Sequence, residues 1–129
     1  MRVPRLVVAG ATSGVGKTSI TSAIIHGIKK QGYSVQPFKV GPDYIDPSYL
    51  SAISGKDTKN LDVWLMGESE LVHSFVKNST SDISVIEGVM GYYDGFGGKT
   101  NYASTHHVAS LIKSPTILIL DASKAARSI

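Results

Sequence analysis

The residues from Ala11 to Thr18 read A-x-x-x-x-G-K-T, and their types and spacing suit the binding of a phosphate chain. Small residues let consecutive backbone N–H groups turn toward an anion, and the first turn of a following helix adds unpaired amides and the positive end of its dipole. The ammonium group of Lys17 would reach the β- and γ-phosphates, and the Thr18 hydroxyl would contact a magnesium ion. The pattern is a Walker A motif with alanine at its first glycine position, where Gly10 is predicted to supply the tight turn.

The alternative for such a loop is a glycine-rich strand-to-helix turn that binds nothing. The apolar run "RLVVAG" precedes the loop, and Ile20, Ile24 and Ile28 follow it at helical spacing. A strand, the loop and a helix in this order are the context that a phosphate-binding loop requires, so we predict a nucleotide site. Its predicted residues are Gly10, Ala11, Thr12, Ser13, Gly14, Val15, Gly16, Lys17, Thr18 and Ser19.

Composition limits the kind of protein that can surround this site. With 129 residues, a net charge of +3 and 42% hydrophobic residues, the chain is long enough for one domain with its own core. It contains no run of about 18 apolar residues and no apolar core of a secretion signal, which predicts a cytoplasmic protein without a membrane span. The absence of cysteine excludes disulfides and thiolate chemistry in this chain. Its basic residues are scattered, which argues against nucleic-acid binding.

Apolar strands alternate with helices along the chain, which predicts an α/β fold with a doubly wound, mostly parallel sheet. "SVQPFKV" is predicted as the second strand, with Pro37 favouring an edge position or a local break. A short helical turn is expected over residues 48–53, a loop around Lys56 and Lys59, and a helix over "ESELVHSFVKN". "DISVIEG" and "PTILILDAS" are predicted as buried strands that end in Glu87 and Asp121. The last residues look like the opening of another helix, so we expect a domain truncated at its C-terminus.

Charged residues follow several of these strands. Ligands of open α/β sheets collect outside the carboxyl ends of the strands, so these side chains are candidates for a site. Glu87 has the position of a Walker B acid that holds magnesium, and its alternative is a solvated carboxylate. Asp43 and Asp46 lie between prolines in "GPDYIDP", where simple turn formation is equally compatible. The glycine-rich, aromatic loop "EGVMGYYDGFGGKTNY", which contains Asp94, is predicted to be a substrate lid or clamp.

Other residues have two interpretations. Trp64 could stack on a flat ring system or pack under a loop. His106 and His107 are adjacent on a predicted helix and therefore point to different faces, which argues against a zinc site.

Five segments in order resemble the N-terminal, ATP-dependent domain of the cobyrinic acid a,c-diamide synthase family: "GATSGVGKTS", "KVGPDYIDPSYL", "NLDVW", "IEGVMGYYDG" and "ILILDASKAARS". The resemblance covers nearly all of the chain. It implies a dethiobiotin synthetase-like P-loop fold, with residues 1–129 as an ATP-binding synthetase domain. Where the family commonly carries a histidine, this chain reads Pro47, Ser48, Tyr49 and Leu50.

The resemblance implies ATP-dependent amidation of acetate groups on cobyrinic acid or a related tetrapyrrole, through an acyl phosphate and with ammonia from glutamine. ATP and Mg²⁺ are the implied cofactors. The implied partners are the tetrapyrrole and a C-terminal glutaminase domain, whose nucleophilic cysteine this chain lacks, with a homodimer as an alternative state and no role for nucleic acid or membrane.

By the same resemblance, site residues fall into three groups. The predicted catalytic residues are Lys17, Lys39, Asp46 and Asp94. The predicted magnesium ligands are Thr18, Asp43 and Glu87. The predicted substrate-binding residues are Tyr44, Asp46, Gly91, Tyr92 and Asp94.

Rival functions use related sequences. A nickel-sirohydrochlorin a,c-diamide synthase would carry nearly the same motifs, and a dethiobiotin synthetase-like ligase shares the P-loop, the lysine after the second strand and the E-G motif. A ParA- or MinD-like switch ATPase carries an extra lysine early in its loop, where this chain has Ala11 and Thr12, and lacks "GPDYIDP". A nucleotide-binding module without activity is a further alternative.

Overall fold

The computed structural model describes residues 2–42, 47–98 and 100–123. Its strands are β1 (Arg5–Gly10), β2 (Val35–Val40), β3 (Lys59–Leu61), β4 (Ile83–Gly91) and β5 (Thr116–Ile119). Its helices are α1 (Lys17–Lys30), α2 (Pro47–Ser54), α3 (Val63–Met66), α4 (Glu68–Asn78) and α5 (Thr105–Leu111), with a turn of 3₁₀ helix over Phe96–Gly98. Every strand pairing is parallel, and the order in the sheet is β3-β2-β4-β1-β5.

Apolar side chains fill both faces of the sheet because neighbouring residues of a strand point to opposite sides. Val8 of β1 packs in a core with Ile25 of α1 and Leu50 of α2. Val7, the preceding residue, belongs to the core on the other face, which also contains Phe75 of α4. The predicted doubly wound, mostly parallel α/β sheet is therefore confirmed.

Pro37 predicted an edge position or a local break for β2, and the edge position is wrong for the strand as a whole, because β2 lies between β3 and β4 in the sheet. Pairing between β2 and β3 begins at Phe38 and Lys59, whereas Pro37 pairs with Val85 of β4 on the other side. Proline lacks the N–H that a central strand donates. It is accommodated here because β3 starts only after it.

Two further strand predictions need correction. Strand β4 does not end at Glu87 but continues to Gly91, because Gly10 and Gly91 pair again after an irregularity in the pairing of β1 with β4. Strand β5 is not buried throughout: Ile117 and Leu118 are exposed by 41% and 46%, since β5 is the last strand in the sheet order. It also ends at Ile119, before Asp121.

Helix α4 has the bounds that its sequence pattern predicts, and α2 includes the predicted helical turn. The segment predicted as a loop around Lys56 and Lys59 instead contains the short strand β3, whose three residues carry too little pattern to be recognised. No helix within the described ranges is both long enough and apolar enough to cross a lipid bilayer.

Candidate functional site

The loop between β1 and α1 forms a backbone cradle at the edge of the sheet. Gly14 and Gly16 have φ angles of 75° and 90°, a left-handed conformation that residues with a Cβ seldom adopt. Gly16 precedes α1 without a side-chain hydrogen bond to the first turn, which leaves the amides of that turn available to an anion. At Gly10 the constraint is space, because a Cβ there would lie 2.5 Å from Val15 Cγ2 and 2.8 Å from the Thr12 carbonyl oxygen.

Lys17 is the first residue of α1, and its side chain reaches β4, the strand that contains Glu87. Its Nζ donates a hydrogen bond of 3.0 Å to the carbonyl oxygen of Met90. Met90 has a φ of 49°, which is unusual for a residue with a side chain. Burial lowers the pKa of Lys17 from its ordinary value and the nearby charge of Lys39 lowers it further, while Glu87 opposes the shift. A bound phosphate would provide a negatively charged partner for the Lys17 ammonium group.

Lys39 and Glu87 form a buried ion pair next to the cradle. Lys39 Nζ lies 2.8 Å from Glu87 Oε1, and the two side chains are exposed by only 6% and 1%. Lys39 also donates to the Gly88 carbonyl oxygen at 3.4 Å. The pair holds a positive and a negative group in fixed positions beside the phosphate-binding loop.

Tyr49 is a site residue that the sequence interpretation missed. The Tyr49 hydroxyl donates to Glu87 Oε2. The hydroxyl oxygen of Tyr49 also lies 3.3 Å from Thr18 Oγ1. Tyr49 belongs to α2 and lies within the segment in which the sequence departs from the family pattern. That departure was the available signal, but the sequence did not indicate that a residue of α2 would reach Glu87.

The cradle and the Lys39–Glu87 pair border a cavity of about 380 Å³. Val89 and Met90 form part of its wall. The other lining residues are six that the sequence predicted: Gly14, Gly16, Lys17, Thr18, Lys39 and Glu87. Such convergence of a glycine cradle, two ammonium groups and a carboxylate suits a phosphate chain with its metal ion.

The oxygens of Thr18 and Glu87 fit the chemistry of a magnesium site. Thr18 Oγ1 lies 3.5 Å from Glu87 Oε1, so both could contact one hard cation, which prefers oxygen ligands. Within the parts of the chain that the structure describes, no three His, Asp or Glu side chains cluster around a metal position. Asp43, Tyr44 and Asp46, predicted as metal, substrate and catalytic residues, lie outside the described residues.

The other predicted substrate residues, Gly91 at the end of β4 and Tyr92 and Asp94 in the loop that follows, do not line this cavity. The Tyr92 N–H donates to the Gly10 carbonyl oxygen at 2.8 Å, and the Gly91 N–H donates to Asp94 Oδ2 at 3.0 Å. A Cβ on Gly91 would lie 2.7 Å from that same Asp94 oxygen. In this structure the Asp94 carboxylate therefore stabilises the turn that follows β4, beside the cradle.

Several residues with open interpretations have clear surroundings. Asp121 is exposed, and hydrogen bonds from the backbone and side chain of Ser123 hold its pKa below the usual range. His106 contacts the Tyr92 hydroxyl at 3.2 Å, whereas His107 contacts Glu68 at 2.8 Å. The two histidines thus have separate partners, as expected for adjacent positions on a helix.

Trp64 is not packed under a loop. Its side chain is 57% exposed and stacks on Phe96, with ring centroids 5.4 Å apart and planes inclined by 9°. The two rings border a second cavity, which is described below.

Comparison with known proteins agrees with this geometry. Residues 6–127 match the family model described as "CobQ/CobB/MinD/ParA nucleotide binding domain". The chain is 47% identical over 125 residues to a cobyrinate a,c-diamide synthase of a Synechococcus species, an alignment that covers 96% of this chain and 27% of the relative.

Two further relatives give the same picture. A cobyrinate a,c-diamide synthase of Listeria innocua is 50% identical over 91% of this chain and 26% of its own length. A hydrogenobyrinate a,c-diamide synthase of Thermobifida fusca is 44% identical over 98% of this chain and 27% of its own length. The chain thus spans about a quarter of the length of these relatives. The predicted resemblance is confirmed, and the chain belongs to the CobQ/CobB/MinD/ParA nucleotide binding domain family.

Proposed function

We propose that this chain is the nucleotide-dependent part of an enzyme that amidates acetate groups of cobyrinate or a related tetrapyrrole. The names of the relatives support an amide-forming reaction on such a substrate. The observation that carries the proposal is the convergence of Lys17 and Lys39 on the cavity that contains Glu87. Two ammonium groups beside a phosphate cradle suit the transfer of a phosphoryl group to an acceptor.

The proposed reaction has two steps. A carboxylate oxygen of the tetrapyrrole bonds to the γ-phosphorus of ATP as the bond between that phosphorus and the β,γ-bridging oxygen breaks, giving an acyl phosphate and ADP. Ammonia then bonds to the acyl carbon, loses a proton and displaces inorganic phosphate, leaving an amide. Phosphoryl transfer of this kind depends mainly on positioning and electrostatic stabilisation.

Each residue of the cavity has a role in this proposal. Lys17 and Lys39 neutralise charge on the transferring phosphoryl group, and the amides of the cradle hold the phosphate chain. Thr18 and Glu87 hold Mg²⁺, which supplies further neutralisation of phosphate charge when bound. Asp43 keeps its predicted role as a metal ligand, and Asp46 and Asp94 keep their predicted roles in catalysis and substrate binding.

The wider setting is also part of the proposal. Ammonia comes from glutamine through a glutaminase domain outside residues 1–129, because this chain has no cysteine to act as nucleophile. We place the protein in the cytoplasm and keep the homodimer as a predicted state. A nickel-sirohydrochlorin substrate remains the nearest alternative. A switch ATPase is less well supported because this chain has Ala11 and Thr12 where such proteins carry an extra lysine.

The test is ADP formation by the purified protein that contains this chain, with ATP, Mg²⁺ and ammonium chloride and each candidate tetrapyrrole in turn. We expect ADP release to require both ammonia and one tetrapyrrole, with one amide formed per ADP. ADP release that is indifferent to every tetrapyrrole would contradict the proposal.

A matched pair of variants tests the site itself. Glu87→Gln should lower turnover more than about tenfold, which corresponds to about 1.4 kcal/mol of barrier. Glu68→Gln makes the same chemical change on the surface, where Glu68 contacts His107, and should leave turnover unchanged. Turnover of Glu87→Gln within tenfold of the unmodified protein would show that the proposed metal role is wrong.

A further inference from the structure

A second cavity adjoins the proposed nucleotide site. It has a volume of about 400 Å³ and shares Val89 and Met90 with the first cavity. We call it the aromatic cavity because Trp64 and Phe96 line it together with these two apolar residues. Concave sites with mostly apolar walls and few polar groups are typical of binding sites for organic molecules.

The two aromatic rings are presented to solvent in a fixed arrangement. They are exposed by 57% and 58%, and they stack nearly parallel to each other. The Trp64 N–H donates to Asp62 Oδ1 at 3.2 Å, and the Phe96 N–H donates to the Tyr102 carbonyl oxygen at 2.7 Å. These bonds fix the backbone on which the two rings sit, and exposed apolar patches of this kind mark interaction sites.

Asp62 contributes a second, independent indication. The residue lines the aromatic cavity and is only 7% exposed. Its Oδ2 is buried and has no hydrogen-bond partner among the residues that the structure describes. Buried carboxylate oxygens are normally paired, so the cavity carries uncompensated negative character on the side that Asp62 lines.

The two cavities therefore differ in charge. Lys17 and Lys39 line the first cavity, whereas Asp62 lines the second. A ligand that bears carboxylates would be repelled by Asp62 and attracted by the lysines. This polarity would orient such a ligand with one carboxylate directed toward the nucleotide.

From these observations we propose that the aromatic cavity seats the flat ring system of the tetrapyrrole against Trp64 and Phe96. An acetate group at the edge of the ring then extends past Val89 toward Lys17 and Lys39. This inference rests on the proposed function, and it assigns the part of the chain that recognises the body of the substrate. Stacking of a ring system on aromatic side chains, together with burial of apolar surface, supplies the affinity.

The inference is tested by calorimetric titration of the purified protein that contains this chain with hydrogenobyrinic acid and, separately, with Mg-ATP. The variants are Trp64→Ala, Trp64→Phe and Leu65→Ala. Leu65 is the matched control, because it is 59% exposed in the same helix and does not line the aromatic cavity. Since both side chains are exposed, neither substitution should unfold the chain.

We expect Trp64→Ala to weaken tetrapyrrole binding at least tenfold and to leave Mg-ATP binding within twofold. Trp64→Phe should retain most of the affinity, and Leu65→Ala should behave like the unmodified chain. If the unmodified chain binds the tetrapyrrole and Trp64→Ala binds it equally well, this inference is overturned while the proposed function stands. If the unmodified protein that contains this chain binds Mg-ATP but no tetrapyrrole, both the inference and the proposed function fail. A change of association state in Trp64→Ala without loss of tetrapyrrole affinity would assign the rings to a protein partner and also overturn the inference.

Discussion

Lys39 and Glu87 are register partners on the neighbouring strands β2 and β4, and their side chains meet in an ion pair of 2.8 Å that is almost completely buried. Removing two charges from water costs free energy that only good mutual geometry offsets. The pair therefore matters for the stability of the chain as well as for the proposed chemistry, and the two contributions can be separated.

A double-mutant cycle at this pair provides the first prediction. Lys39→Met or Glu87→Gln alone should lower the free energy of unfolding by about 3–5 kcal/mol, because each leaves one buried charge without its partner. The double variant should lose less than the sum of the two single losses, as measured by urea unfolding without nucleotide. Additive losses, within about 0.5 kcal/mol, would show that the two groups do not interact.

The pKa of Lys17 leads to a prediction about pH. Burial lowers this pKa in the folded chain, so below the ordinary lysine value the unfolded chain holds more protons at this position than the folded chain. Stability rises with pH wherever the unfolded state binds more protons. The free energy of unfolding of the unmodified chain, relative to Lys17→Met, should therefore increase from neutral pH toward the ordinary lysine pKa. Urea unfolding of both chains at several pH values measures this difference, and a flat or falling difference would refute the prediction.

Tyr49 should compete with magnesium for Glu87. Its hydroxyl donates to Glu87 Oε2 and lies 3.3 Å from Thr18 Oγ1, between the two proposed metal ligands. Tyr49→Phe should lower the Mg²⁺ concentration for half-maximal nucleotide binding by a few fold, because no hydrogen bond to the carboxylate must be broken first. It should also destabilise the metal-free chain by about 1.5–3 kcal/mol, the range for a hydrogen bond to a charged group.

Tyr33→Phe is the matched control for this prediction, since Tyr33 is an exposed tyrosine on another part of the surface. It should change neither quantity. An increased Mg²⁺ requirement in Tyr49→Phe would mean instead that the hydroxyl assists metal binding.

Gly88 and Gly27 offer a paired test of packing. A Cβ on Gly88 would lie 2.8 Å from Thr105 Cγ2 and 2.9 Å from Thr105 Oγ1, whereas a Cβ on Gly27 would have nothing within 4 Å. Thr105 Oγ1 accepts a hydrogen bond from the N–H of Val89, and this bond holds Val89, which lines both cavities. Gly88→Ala should therefore destabilise the chain by about 1–3 kcal/mol.

Gly27→Ala should stabilise the chain by about 0.4–1 kcal/mol, because alanine reduces the conformational freedom of the unfolded state within a helix. Thermal unfolding of the two variants measures both effects. Equal stability of the two variants would show that Thr105 moves aside without cost.

Much of the fold could be predicted from local sequence patterns. The helical spacing in α4 and the strand–loop–helix order around Lys17 follow from residues close together in sequence. Features that depend on neighbours in the sheet were predicted less well. Pro37 was interpreted as an edge position or a local break, and β5 was predicted to be buried, because the order of strands decides both and no local pattern contains it.

The site divides in the same way. The sequence by itself determined the phosphate cradle, since glycine spacing and the following helix fix its backbone chemistry. It also identified Glu87 as a strand-end charge, and the family resemblance added Lys39. Only the tertiary structure decided that these two residues, 48 positions apart, form an ion pair, that Tyr49 joins them, and that Trp64 stacks on Phe96. Such contacts arise when strands and helices distant in sequence pack side by side, and the free energy that selects them comes from burial of the whole core.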